Sequence, residues 1–310
     1  MAFYTCHLDI GEDIDSVQLI HFCKERWPRQ VYDLLWYQVM DRNNYRKYSL
    51  YIGWDVGGWN CERNGKSRDA LVILDGKCEL VGKPWRGNLR NTINDASNSS
   101  EWIKALLDLC QVIWQGSELP TVVLAIDTPL GFSESFQNLI AGKGAVESIE
   151  DSETNPYLFR YTERFLFQRG LKPLSAVKDM IGSQATKGMH ALAKFSPRVK
   201  SVGVWQDEGN LQAIEAYPSA CKHSGTMGSL LQSFIVEQEI LQLPLDAHWQ
   251  GATFVPGIDH DDKRDALICA LLAWLYTNEP GQLEMPPAET PRSEGWIFVP
   301  KDGLDMFSHM

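Results

Sequence analysis

Four stretches of the chain set carboxylates where a carboxylate is expensive to keep. Tyr51-Ile-Gly-Trp-Asp-Val-Gly-Gly58 puts Asp55 at the end of a run that favours a strand, just before Gly57-Gly58 breaks it. Thr121-Val-Val-Leu-Ala-Ile126 is a continuous apolar run of the kind buried on both faces, and it ends at Asp127-Thr-Pro-Leu-Gly131. Leu211-Gln-Ala-Ile-Glu215-Ala-Tyr217-Pro218 reads as a third strand, whose two-residue period sends Glu215 to the side of Tyr217. Asp259-His-Asp-Asp-Lys-Arg-Asp265 opens a helix that continues through Ala266 to Tyr276, with Asp265 one turn from Asp261 and Asp262. A buried carboxylate costs several kcal/mol unless a cation or hydrogen bonds receive it. Oxygen donors suit a hard divalent cation such as Mg²⁺ or Mn²⁺. Bare glycine backbone after Asp55 leaves room for such a cation or for a phosphate. Each acid also has a plainer reading: a turn or cap at Asp55, an exposed alternating residue at Glu215, and compensation of the helix dipole at 259–265. Four aspartates within seven residues exceed what a cap requires.

Cations that could meet a phosphate fall in the middle of the chain. Arg160, Glu163 and Arg164 share one helical face; Lys187, His190 and Lys194 share another. Solvated charged faces are the competing reading of both sets.

These groups need a sheet and helices to position them. Strands are expected over 50–56, 70–74 and 77–82, the last two joined by the hairpin signal Asp75-Gly76, which gives an antiparallel meander. A helix with Trp102, Leu106, Leu109 and Ile113 at helical spacing runs to Trp114, capped by Ser99 or Ser100. The stretch 132–200 reads as mostly helical, with helices over 158–167 and 175–195, and another helix is expected over 226–241. Asp262, Ala266, Ala270 and Ala273 make a small-residue face that lets the last helix lie close to the sheet. Glu294-Gly-Trp-Ile-Phe-Val-Pro300 reads as a short closing strand. Residues 1–48 carry helical patterns at 17–22 and 31–40, and their aromatic content implies a segment packed on the main body.

The 310 residues are 44% hydrophobic and 22% charged, ordinary globular composition. A net charge of −11 makes the chain a poor non-specific binder of long nucleic acid. Seven cysteines are scattered without a C-x-x-C pair, as expected of reduced thiols in a cytoplasmic protein. The longest apolar run is too short to cross a bilayer, so no membrane association is expected.

The order of elements, with acids at the first, fourth and fifth strands and the last helix, resembles the ribonuclease H-like fold. Gly53-Trp-Asp55, Ile126-Asp127-Thr-Pro-Leu-Gly131, Arg160 with Glu163 and Arg164, Glu215-Ala-Tyr-Pro218, Asp262-Lys-Arg-Asp265-Ala266 and Glu294-Gly-Trp-Ile-Phe-Val-Pro300 together resemble a family of predicted RNase H-like nucleases, domain of unknown function 429. The resemblance spans about 50–300 and leaves residues 1–48 as an N-terminal extension. It implies an α/β fold with a mixed five-stranded sheet: three antiparallel strands, then parallel additions, flanked by helices. It implies one such domain over 49–310 with a helical insertion at about 132–200. It also implies a two-metal nuclease that uses Mg²⁺ or Mn²⁺ on a nucleic acid or nucleotide. In that reading Asp55 bridges the metals, Asp127 or Glu215 holds one and Asp262 or Asp265 the other, while Arg160, Arg164 or Lys187 contacts a phosphate. The alternatives are an actin- or sugar-kinase-like phosphotransferase and a non-catalytic nucleotide- or nucleic-acid-binding module on the same fold. The first usually carries a second domain with a second Asp-x-Gly hairpin, which the chain does not show.

Overall fold

A computed structural model describes residues 49–304 apart from 115, 117, 150 and 239–251. The chain divides between Tyr48 and Ser49, and everything described belongs to the second unit, residues 49–310. The helices expected over 17–22 and 31–40 lie outside the described residues.

The domain is α/β, with a mixed, open sheet flanked by helices. Strand β1 (Ser49–Asp55) pairs antiparallel with β2 (Asp69–Leu74), which pairs antiparallel with β3 (Trp85–Gly87). On its other edge β1 runs parallel to β4 (Thr121–Asp127), and β4 runs parallel to β7 (Leu211–Ala216). The sheet then continues through β6 (Val204–Gln206) to β5 (Arg198–Ser201), and β10 (Ile297–Phe298) lies parallel to β7. The sheet thus has eight strands, not the expected five. The extra strands come partly from the stretch read as helical: β5 and β6 form a hairpin turned by Gly203, whose φ of +74° suits glycine.

The meander is present, but its third strand lies later than 77–82. Asp75 Oδ1 accepts from Lys77 N (2.9 Å) and Glu79 N (3.0 Å), and Cys78 takes a positive φ. That local turn takes the backbone groups a strand would use. Only an isolated bridge between Leu74 and Leu80 remains before β3 begins at Trp85.

The helices are α1 (Arg90–Asp95), α2 (Ser99–Leu109), α3 (Glu134–Ile140), α4 (Tyr161–Phe167), α5 (Gly182–Phe195), α6 (Gly225–Leu231) and α7 (Asp261–Asn278). The cap of α2 is Asn98, one residue before the expected serines; its Oδ1 accepts from Glu101 N (2.9 Å). The expected 175–195 helix starts only at Gly182, because Ser175 Oγ accepts from Val177 N and Lys178 N in a tight turn. The helix expected over 226–241 stops at Leu231. Ile235 and Val236 begin β8 (Ile235–Gln238), which pairs with β9 (Ala252–Phe254) in a separate small sheet.

Alternation along the strands defines two faces. Leu50, Ile52 and Trp54 of β1 and Val122, Leu124 and Ile126 of β4 join a core with α2 and α5, where Trp102 stacks on Phe195 at 4.8 Å. Tyr51 and Ala125 join the other core, with α7. Helix α7 lies almost against the sheet. A Cβ on Gly53 would stand 1.8 Å from Ala266 O and 2.4 Å from Ala270 N. Glycine in β1 and alanines in α7 are therefore two halves of one contact, and that contact carries the N-terminal acids of α7 to the end of β1. Among the described residues no helix is long and apolar enough to cross a membrane. The five described cysteines are free thiols.

Candidate active site

Asp55 and Asp127 are register partners at the ends of two parallel strands, so their side chains leave the sheet together at the same end. They follow Gly53 and Ala125 on the α7 face, where Asp265 sits in the second turn of α7. All three are partly buried. No hydrogen-bond donor or ion-pair partner among the described residues reaches any of these three carboxylates. Burial first, then the charges of Asp127, Asp265 and Asp262, hold the Asp55 carboxyl well above its usual range. Burial, Asp265 and Glu215 do the same to Asp127. Asp265 is pushed up to about 6, mainly by burial, with Asp261 and Asp262 raising it and Lys222 lowering it. Lys222 lies on the 3₁₀ turn Pro218–His223, beyond ion-pair distance.

A cleft of about 230 Å³ opens over Asp55 and Asp127. Its walls include Pro129, Pro173, Leu174, Ile181 and Tyr217. Thr128, which follows Asp127 and is only 5% exposed, also lines it, and its Oγ1 has no hydrogen-bond partner.

Glu215 follows the other face. It is in register with Ile126, whose side chain joins the α2–α5 core, so it starts from the opposite sheet face to Asp55 and Asp127, although at the sheet end it still lines the cleft and its charge raises Asp127. Its carboxylate is 2% exposed and fully engaged: Arg160 donates through Nη1 (2.8 Å) and Nη2 (2.5 Å), and Leu130 N donates at 2.9 Å. Arg160 also donates through Nε to Glu163 (2.9 Å) and through Nη1 to Glu294 O (3.1 Å). Arg160, expected to contact a phosphate, and Glu215, expected to hold a metal, are paired with each other inside the protein. Glu294 joins this cluster, accepting from Glu134 N (2.8 Å) and Tyr161 N (2.5 Å) at the starts of α3 and α4.

Lys187 is likewise spent. It is fully buried and donates to Asp69, to Asn88 Oδ1 (3.0 Å) and to the carbonyls of Gly57 and Gly58 (both 3.3 Å). Asp69 also accepts from Trp54 Nε1 (3.0 Å), Gly57 N (2.9 Å) and Leu89 N (2.6 Å). Gly57 is required by packing: a Cβ there would meet Arg68 C and Asp69 N at 2.7 Å. Lys187 and Asp69 fix the loop into which Asp55 leads.

Asp262 and Asp265 differ in their partners. Asp262 is buried; its Oδ2 accepts from Arg68 N (2.8 Å) and Arg86 Nε (2.7 Å). Asp265 has no such partner among the described residues, and its charge acts on both Asp55 and Asp127. Arg164 is partly exposed on α4, makes no ion pair among the described residues and does not line the cleft. The sequence reading missed Asp69, Glu294, Thr128 and Arg86. Asp69 alone left a usable signal, an acid opening the wholly apolar run Ala70–Leu74.

Among the described residues no three His, Cys, Asp or Glu side chains close on one point as a ready-made metal cage. The open donor set is nonetheless all carboxylate oxygen, crowded and unpaired. That suits Mg²⁺ or Mn²⁺, which keep several waters and take only one or two carboxylates from the protein. Compared with known proteins, the chain matches no family model, no curated protein and no solved structure.

Proposed function

We propose that the chain is a metal-dependent hydrolase of phosphodiester bonds, a nuclease-type enzyme on a ribonuclease H-like core. One observation carries this reading: Asp55, Asp127 and Asp265 converge at one sheet end with raised pKa values and, among the described residues, no ion-pair partner or hydrogen-bond donor at their carboxylates. A protein that keeps such repulsion stabilises it with something bound. The antiparallel β1–β3 meander followed by parallel β4 and β7 agrees with the core that the resemblance implies. Asp55, Asp127 and Asp265 would hold Mg²⁺ or Mn²⁺. Such a cation neutralises charge on phosphoryl oxygens and favours deprotonation of water. The chain's own part is to fix the acids: α7 seated on Gly53 brings Asp265 to Asp55, and the Lys187–Asp69 pair holds the loop after β1. The Arg160–Glu215 pair holds the turn after Asp127 through Leu130 N.

The test is hydrolysis of single- and double-stranded DNA and RNA with Mn²⁺, comparing wild type with Asp55→Asn from matched preparations. The expected outcome is cleavage by wild type that falls by at least about 100-fold in Asp55→Asn. Equal cleavage by both proteins contradicts the reading.

A further inference from the structure

The walls of the cleft carry more information than its acids. Among the described residues, those lining it include Asp55, Asp127 and Glu215 but neither lysine nor arginine. The two nearby cations singled out by the sequence, Arg160 and Lys187, are buried in ion pairs. Proteins that grip long nucleic acid do so with lysine and arginine along the phosphate backbone. A chain of net charge −11 with no such track at its cleft is poorly built for that. Pro129, Pro173, Leu174, Ile181 and Tyr217 also line the cleft. Leu174 remains 52% exposed, apolar surface at the mouth of a polar site. The unpartnered Thr128 Oγ1, beside Asp127, is a buried hydrogen-bonding group without a protein partner. A ligand oxygen would supply the hydrogen bond that this hydroxyl lacks.

We infer that the cleft takes a small phosphodiester with one nucleoside unit, its ring against the Pro129–Leu174–Tyr217 wall and a phosphoryl or sugar oxygen at Thr128 Oγ1, and not a segment within a long strand. This rests on the phosphodiesterase reading above. Water adds its oxygen to phosphorus while the bond from phosphorus to the leaving oxygen breaks, and the water's proton passes to solvent or to the leaving oxygen.

The experiment uses the full chain with Mn²⁺ and three probes: the p-nitrophenyl ester of thymidine 5′-monophosphate, base-free bis(p-nitrophenyl) phosphate, and a single strand of about 30 nucleotides. The nucleoside ester is expected to exceed both others by about tenfold in kcat/KM. Its kcat/KM is also expected to change by less than about twofold between roughly 50 and 200 mM salt. Thr128→Val should melt no lower than wild type, since it removes only an unpaired hydroxyl, yet lose about tenfold in kcat/KM on the nucleoside ester. Thr128→Ser, which keeps the hydroxyl, should stay within about threefold of wild type. Faster cleavage of the long strand, with a steep salt dependence, overturns the inference and leaves the phosphodiesterase reading standing. So does a Thr128→Val variant with unchanged kcat/KM. Failure of wild type to cleave any probe overturns both.

Discussion

On the α2–α5 face of the sheet, Asp69 and Glu215 are buried with a cation each, Lys187 and Arg160, and every oxygen of both carboxylates accepts a hydrogen bond. On the α7 face, Asp55, Asp127 and Asp265 meet at the same sheet end without an ion pair among the described residues. The strands and much of the burial are shared; the partners are not. Paired acids hold the fold in shape, and their cations are unavailable to a ligand. Unpaired acids cost stability, a cost that a bound cation would offset.

The largest effects should come from breaking the paired face. Arg160→Met leaves Glu163 and Glu215 buried without their cation and should cost about 3–5 kcal/mol in urea denaturation, or prevent folding. Lys187→Met should cost a similar amount by exposing the buried charge of Asp69. A loss near zero would mean that these pairs are not what holds the loops after β1 and β4. Gly53→Ala tests the seating of α7, which both faces depend on. A methyl group driven into Ala266 O should cost about 1–3 kcal/mol or more, together with metal-dependent activity.

The unpaired face should respond to pH in the opposite sense from a salt-bridged acid. Its carboxyls have folded pKa values above the unfolded 3.8, so the folded state binds more protons between the two values. Stability without cation should therefore fall as pH rises from about 4 through 6, Asp265 alone accounting for about 2–3 kcal/mol. Thermal melts in chelator across that range check this; a Tm that rises steadily from pH 5 to 7 would count against crowded acids. A smaller effect is expected from Asp265→Asn in chelator at pH 7.5: a gain of about 1 kcal/mol as repulsion falls.

The parts of this contrast legible in the sequence were those written in local pattern. Asp55 and Asp127 announced themselves because strand signals end at them, and the alanine stripe of α7 announced a close helix–sheet approach. Glu215 shows where local pattern stops. Its period was expected to set it on the side of Tyr217; in the fold Tyr217 packs against the α7-side core, while Glu215 takes the face of Ile126 through a register that no stretch of β7 encodes. Arg160 and Lys187 were visible as cations on helices; only the tertiary fold, across 55 and 118 residues of chain, decides that they face Glu215 and Asp69. The strand at 77–82 failed for a local reason, since Asp75 closes its turn onto Lys77 and Glu79.

The most direct test of a cation site on the α7 face is a thermal melt of chelator-treated wild type and Asp55→Asn at pH 7.5, titrated with Mn²⁺. Wild type should rise by roughly 5–10 °C at about 100 times Kd, whereas Asp55→Asn should start at the same Tm or higher and barely move. A wild-type Tm indifferent to Mn²⁺, or an equal shift in both proteins, would contradict it.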